Sequence, residues 1–371
     1  MNPILFFIAF LGIFILLNMY ISKRLIAKLD LHSSTKLLLR VFLFINLLGM
    51  IGYMLGRYYI DIPNWLYFLF SIPIGLLFLL FCSAIIYDIL RLILSKTTMS
   101  DSRRKFFKKS LDISSLALAT TLSARSIYEA RFIKLEKVSI KIKNLNQHYK
   151  IIQLSDVHIG GLIDAKYIKN IVDRVNLTKP DLVVITGDLV DMNIDKIQAP
   201  LAELKKLQSK YGTYFIVGNH EYFHGIDEII SYIKKLDIRV LENENVYIGE
   251  QDRGFNLAGV YDIFGYRAGH HLPDLNAALK GVKDAPTVLL AHQPKYIQEV
   301  GGVDLMLSGH THGGQLYPFR FLVKLQQPYI SGLHQHNKYL QIYINKGTGF
   351  WGPPMRLGAT AEITEIIIKP S

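Results

Sequence analysis

Three apolar stretches near the N-terminus, Pro3 to Ile21, Leu37 to Gly56 and Trp65 to Tyr87, constrain this chain more than any other feature of it. Each is close to the ~20 residues needed to cross the hydrocarbon core of a bilayer as a helix. In lipid the backbone must satisfy its own hydrogen bonds, which a helix does and an open strand does not. Three transmembrane helices are therefore predicted. Arg40, near the start of the second stretch, can carry its charge to the interface on its own methylenes. The first stretch lacks the basic residues that open a cleaved signal, and further spans follow it. A hydrophobic content of 50% and a mean hydropathy of +0.23 exceed what one soluble domain needs.

Charge gives orientation. The chain carries 42 Lys and Arg against 30 Asp and Glu, a net +12, and most of the surplus lies in the first 130 residues. Lys23, Arg24, Lys28 and Lys36 separate the first two spans, whereas the second connection offers only Arg57. After the third span come Arg91, Lys96, Arg103, Arg104, Lys105, Lys108 and Lys109. The positive-inside rule puts both basic segments in the cytoplasm. Basic charge beside a membrane reads as a topology signal and a contact for anionic lipid, so no nucleic-acid partner is expected. The single cysteine, Cys82, sits within the third span, which excludes an intrachain disulfide.

Beyond residue 131 the pattern changes. Asp156-Val157-His158, Gly187-Asp188, Gly218-Asn219-His220-Glu221, Ala291-His292-Gln293-Pro294 and Gly309-His310-Thr311-His312-Gly313-Gly314 each follow an apolar, β-branched run. Those runs are Tyr149 to Leu154, Leu182 to Thr186, Tyr214 to Val217, Val288 to Leu290 and Val303 to Leu307. Loops at the carboxyl ends of strands are where α/β sheets bring polar groups together. Taken singly, Asp156 or His292 would serve as an ordinary turn residue. Together the five loops supply two Asp, one Asn and five His without Cys, the ligand set of a two-metal hydrolytic site. Two cations about 3.5 to 4 Å apart can share a carboxylate, acidify a water and clamp phosphate oxygens. Imidazole, carboxylate and amide donors without thiolate suit Mn, Fe or Zn.

The unbroken series D-x-H, G-D, G-N-H-E, H-x-P and G-H-x-H-G-G resembles the calcineurin-like metallophosphoesterases, from about Tyr149 to the C-terminus. Asn345-Lys346-Gly347-Thr348-Gly349 and Trp351-Gly352-Pro353-Pro354-Met355-Arg356 are similar to the closing segment of that family's membrane-associated branch. The resemblance implies that Asp156, His158 and His312 bind a first divalent ion and that Asn219, His292 and His310 bind a second. Asp188 would bridge the two. His220 would face the scissile phosphate as general acid or charge stabiliser, with Glu221 holding the His220 ring. His224, His270, His271 and Arg267 form a second tier in loops that could overhang the site, and a guanidinium such as Arg267 can hold phosphate in two bonds.

Ala165 to Leu177, Ile197 to Tyr211, Asp227 to Leu236 and Pro273 to Lys280 read as helices between strands. Leu135 to Ile142, Ile238 to Ile248, Phe255 to Val260, Tyr339 to Asn345 and Glu362 to Ile368 read as further strands. The expected fold is α/β, two packed mixed sheets flanked by helices, preceded by an α-helical transmembrane region. The domains expected are an anchor over 1–96, a basic juxtamembrane segment over 97–130 and a catalytic domain over 131–371.

The side of the membrane turns on the juxtamembrane segment. Ser102-Arg103-Arg104-Lys105-Phe106-Phe107-Lys108 followed by Ile113 to Ala124 is similar to a twin-arginine export signal. As a helix that apolar stretch is only about 18 Å long against a core of about 30 Å. Ser114, Ser115, Thr120, Thr121 and Ser123 weaken it further. The competing reading, a polybasic stop leading into an interfacial helix, leaves the catalytic domain against the inner leaflet of a bacterial-type cell membrane, and the balance falls there. A metal site on an anchored chain points to a lipid-linked or phospholipid substrate, because anchoring concentrates enzyme and lipid on one surface. The resemblance extends to integral-membrane hydrolases that split UDP-2,3-diacylglucosamine into lipid monophosphate and UMP in lipid A assembly. An exported phosphodiesterase acting on phospholipid or envelope phosphodiesters is the alternative.

Overall fold

The structure is a computed structural model that describes residues 3–58 and 60–371. The chain divides into two units, residues 1–128 with 352–355, and residues 129–351 with 356–371.

The first unit is helical: α1 (Pro3–Tyr20), α2 (Ser33–Tyr58), α3 (Asn64–Lys96) and α4 (Asp101–Ala130). Among the described residues three helical segments, Phe7–Lys28, Ser33–Arg57 and Asn64–Lys96, are long and apolar enough to cross a membrane. Ile21, Leu25, Leu29, Met50, Leu77 and Tyr87 form their common core. The stretch from Ile113 to Ala124 is the middle of a 30-residue helix, not a short isolated one. Two of its serines are satisfied inside the helix, Ser115 bonding the Asp112 carbonyl at 3.0 Å and Ser123 that of Ala119 at 2.8 Å. The buried Asp112 carboxylate accepts from the Asp30 amide and the Tyr87 hydroxyl, both at 2.8 Å, and pairs with Lys108 at 2.9 Å.

The second unit begins with β1 (Ile133–Ile142), β2 (Tyr149–Leu154), α5 (Ala165–Leu177), β3 (Leu182–Thr186), α6 (Ile194–Ala202), β4 (Thr213–Ile216), α7 (Asn219–Phe223), α8 (Ile226–Lys234) and β5 (Ile238–Val240). It continues with β6 (Glu244–Ile248), β7 (Phe255–Gly259), α9 (Phe264–Ala268), α10 (Leu275–Ala278), β8 (Thr287–Leu290), β9 (Leu305–Ser308), α11 (Arg320–Lys324), β10 (Gly332–Gln335), β11 (Gln341–Ile344) and β12 (Ala361–Pro370). Two six-stranded mixed sheets result, in the orders β1-β12-β2-β3-β4-β5 and β10-β11-β9-β8-β7-β6. β12 pairs parallel with β1 and antiparallel with β2.

Strand alternation builds the layers. Val183 and Ile185 face the helices with Ile168, Ile171, Val172 and Val175 of α5, whereas Leu182 and Val184 meet Leu257, Val288 and Leu305 between the sheets. The outer face of the second sheet packs Leu289, Met306 and Ile344 against Ala278, Tyr296 and Ile297. α5 follows the i, i+3, i+4, i+7 spacing of a half-buried helix and starts at Asp164, whose carboxylate accepts from the Tyr167 amide at 2.9 Å.

Two sequence expectations change. Ile238 to Ile248 is not one strand: the chain leaves β5 in the first sheet and enters β6 in the second, turning at Asn243 with φ 57°. The helix expected to run to Tyr211 ends at Ala202 in a 3-10 turn over Glu203–Lys206, one turn around Pro200, which removes a backbone donor.

Candidate metal centre

The carboxyl ends of β2, β3, β4, β8 and β9 carry the five polar loops, and their side chains converge. Asp156, His158, Asp188, His310 and His312 all adopt positive φ, between 49° and 69°. For a residue with a Cβ this costs ~1 kcal/mol or more, so the loops are held. The Asp156 amide donates to the Gly187 carbonyl at 3.0 Å, that of His158 to Asp188 at 3.1 Å and that of Gly309 to His292 at 2.9 Å. At Gly309 the backbone passes so close to Asp156 and Ser155 that a methyl group would collide with both side chains.

Asp156, His158 and His312 offer one donor atom each within 4.8 Å of one another. The His158 and His312 Nε2 atoms are 3.0 Å apart, close enough for one cation to take both as ligands. Asp156 takes the His310 amide on both oxygens at 2.9 Å. Its complete burial, reinforced by Asp188 and opposed by His292, pushes it up to about 6. Burial, with the charges of His158 and Arg356, lowers His312 and keeps its imidazole neutral.

Asp188, His292 and His310 form a second group of the same size. His292 Nδ1 lies 2.7 Å from the Thr186 carbonyl, which places a proton on Nδ1 and turns Nε2 toward Asp188 Oδ2, 3.1 Å away. The same Asp188 oxygen is 4.0 Å from His158 Nε2, so this carboxylate stands between the two groups. Burial acts to raise the Asp188 pKa, and His292, His220 and His158 more than reverse it, leaving it well below the usual range. Burial, aided by His292, pushes His310 down to about 3. Among the described residues the Asn219 side-chain oxygen and His310 Nδ1 are buried without a hydrogen-bond partner. Orphaned donors beside a depressed carboxylate fit divalent cations, and no thiolate is present to select a softer one.

His220 opens α7. Its amide donates to Asp188 Oδ1 at 2.9 Å and its Nδ1 lies 2.7 Å from Asp191 Oδ1, leaving Nε2 on the Asp188 side, 3.9 Å from Oδ2. Glu221 does not hold this ring. Its oxygens accept the amides of Gly218 at 2.6 Å, Asp188 at 3.1 Å, Leu189 at 2.8 Å and Val190 at 3.2 Å. Consecutive helical residues point in different directions, so Glu221 braces the β3 and β4 loops while Asp191 orients His220. Burial and Asp188 push the Glu221 carboxyl up to about 7 against the pull of the Gly218 and Val190 amides.

Residues 149–314 match the family model described as calcineurin-like phosphoesterase. An uncharacterized metallophosphoesterase of Helicobacter pylori is 38% identical to this chain over 98% of each protein. The chain belongs to the calcineurin-like metallophosphoesterases. A transmembrane protein with metallophosphoesterase domain from Bos taurus is 39% identical over 59% of this phosphoesterase and 53% of its own length. A solved 5'-nucleotidase precursor from Thermus thermophilus matches with a TM-score of 0.38 at 13% identity, over 60% of this chain and 54% of that one.

The tail of this phosphoesterase lies beyond the matched residues yet closes its metal centre. The Thr348 amide donates to the Ser155 carbonyl at 2.7 Å and that of Gly349 to Asp156 at 3.1 Å. Arg356, fully buried, donates to the carbonyls of Gly349 and Ala359 at 2.6 and 2.7 Å and lies 3.2 Å from His312 Nδ1. Burial lowers its guanidinium to about 10. The second tier stays at the margin: His224 Nε2 is 3.8 Å from Asp191, His271 pairs with Asp227 at 3.1 Å, His270 touches His271 and Arg267 is exposed on α9. Asp191 escaped the sequence reading because it belongs to none of the five motifs.

Proposed function

We propose that this metallophosphoesterase holds two divalent cations, Mn, Fe or Zn, and hydrolyses a phosphodiester or pyrophosphate bond of a lipid-linked substrate. Asp156, His158 and His312 would hold one ion and Asn219, His292 and His310 the other, with Asp188 shared. The observation that carries this reading is the position of Asp188 Oδ2 between His292 and His158. Bound cations supply a nucleophile from water and neutralise the phosphate oxygens. His220 would act as an imidazolium, giving its Nε2 proton to the leaving oxygen while its Nδ1 proton stays on Asp191. Residues 1–96 serve as the anchor, 97–130 as the juxtamembrane segment and 131–371 as the catalytic domain.

Within this class UDP-2,3-diacylglucosamine is the substrate that best joins a diphosphate to acyl chains, and its use places the domain in the cytoplasm. The Arg104 guanidinium donates to the Leu94, Ser95 and Thr97 carbonyls at 3.2 to 3.4 Å, capping the end of α3. That role supports the stop reading over the export signal.

Metal-reconstituted protein is expected to hydrolyse an aryl phosphodiester. Asp188→Ala and His310→Ala should each lower turnover by about 10³-fold or more with the fold retained by circular dichroism. Unchanged turnover in both would sink the assignment of these loops.

A further inference from the structure

The turn that follows His312 leads into a segment that the chemistry of the metal centre does not use. Leu316 is buried and bridges to Leu357, and the Tyr317 amide donates to the Leu357 carbonyl at 3.0 Å. The chain then emerges as α11, a helix with no buried residue. Phe321, Leu322 and Leu325 are 57%, 55% and 82% exposed, with Lys324 exposed between them. No Asp or Glu occurs from Leu305 to Ala361, whereas Arg320, Lys324, Lys338, Lys346 and Arg356 do.

Both ends of this segment are fixed to the loops of the metal centre. Arg320 is pressed against Gly314, so closely that a Cβ on that glycine would strike its backbone. Beyond α11, Gln327 accepts the Lys295 amide at 3.0 Å and donates to Gln293 at 3.3 Å, beside His292. Gln315, one residue before the buried Leu316, exchanges two hydrogen bonds with the Trp351 backbone at 2.7 and 3.0 Å. The Trp351 ring, half-exposed, stands edge-on to His220 with centroids 6.1 Å apart. An apolar, basic surface is thus tied to the side of the site where His220 stands.

We propose that the Tyr317–Leu325 segment is a bilayer-docking surface that inserts Phe321, Leu322 and Leu325 among lipid chains and presents an amphiphilic phosphoester to the metal centre. Exposed apolar side chains flanked by Lys and Arg, with no acidic neighbour in sequence, match an anionic bilayer surface. A second protein partner has no such requirement for a carboxylate-free stretch. The chain's own apolar helices keep a bilayer at high effective concentration. The proposal rests on the reading of the centre as a lipid-directed phosphoesterase for its catalytic consequence, not for the insertion itself.

The test uses the full chain in vesicles of phosphatidylcholine and phosphatidylglycerol, in a Cys82→Ala background. An environment-sensitive fluorophore is attached at Leu322→Cys or Leu325→Cys, with Leu177→Cys, exposed at the end of α5, as the control. Lipids bearing a nitroxide on the acyl chain should quench the 322 and 325 probes at least about twofold more than the 177 probe. In the same vesicles Phe321→Asp/Leu322→Asp should lower the ratio of turnover on a long-chain phosphodiester to turnover on a soluble aryl phosphodiester about tenfold. Quenching at 322 and 325 no greater than at 177, or an unchanged ratio, overturns the proposal; a probe shielded from water but not quenched points to a protein occupant and overturns it too. Strong quenching in a protein that turns over neither substrate overturns the reading of the centre and leaves the docking surface standing.

Discussion

His292 and Arg356 show how much of this centre depends on single protons and single donors. Burial alone would depress His292, but Asp188 at 3.1 Å and the nearby Asp156 and Asp262 raise it well above 6.5. Without metal the ring is therefore protonated at neutral pH, and this stabilises the fold fully below the ordinary imidazole value, fading as pH rises through the raised one. A cation needs the neutral Nε2, so binding must expel that proton. Titration calorimetry near pH 7 in two buffers of different ionisation heat should find about one proton released, with affinity rising as pH rises; zero release would contradict the ion pair. Arg356 tests a different dependence. Arg356→Met keeps most of the volume but strands the Gly349 and Ala359 carbonyls and frees His312, so unfolding should become easier by about 3 kcal/mol. An unchanged thermal midpoint would show that these bonds carry no stability.

At the scale of elements, the strand ends were readable because an apolar run followed by a polar loop is a local pattern. The roles of Glu221 and Asp191 were not, since they depend on which face α7 turns toward the β3 loop. A sequence places Glu221 beside His220; a helix turns it to four backbone amides instead. The exposed, half-polar β10 and the unburied α11 escaped for another reason, as neither repeats a period of two or 3.6 over enough residues to register. The break at Asn243 was marked by the polar run Glu242-Asn243-Glu244-Asn245, but a polar turn does not reveal that β5 and β6 belong to different sheets. The α7 geometry yields its own expectation. Asp191→Asn should slow hydrolysis of esters with poor leaving groups about tenfold more than esters with good ones, because it weakens the hold on the His220 proton donor. Equal slowing across a series of leaving groups would remove the acid role.

On the scale of the whole chain, charge bias and apolar length were legible before any coordinates, because both act through composition along the sequence. The substrate was not, because the phosphoesters within reach depend on which face of the membrane the second unit occupies. A compartment-specific reporter fused after Ser371 should be active only in its cytoplasmic form; activity of a periplasmic form would remove the nucleotide lipid as substrate.

The place of β12 bears on how such a chain is made. Its register with β1 runs from Ile133↔Ala361 to Ile142↔Pro370, and its other edge pairs with β2. β1 and β2 leave the ribosome early, soon after the helices that would enter a bilayer, yet they do not pair with each other and the first sheet has a gap until β12 is synthesised. Such long-range pairing is slow to form. The nascent enzyme must therefore wait beside the membrane with two unpaired strand edges, and its exposure to aggregation or to chaperones is set by the time taken to translate everything between Leu154 and Pro370.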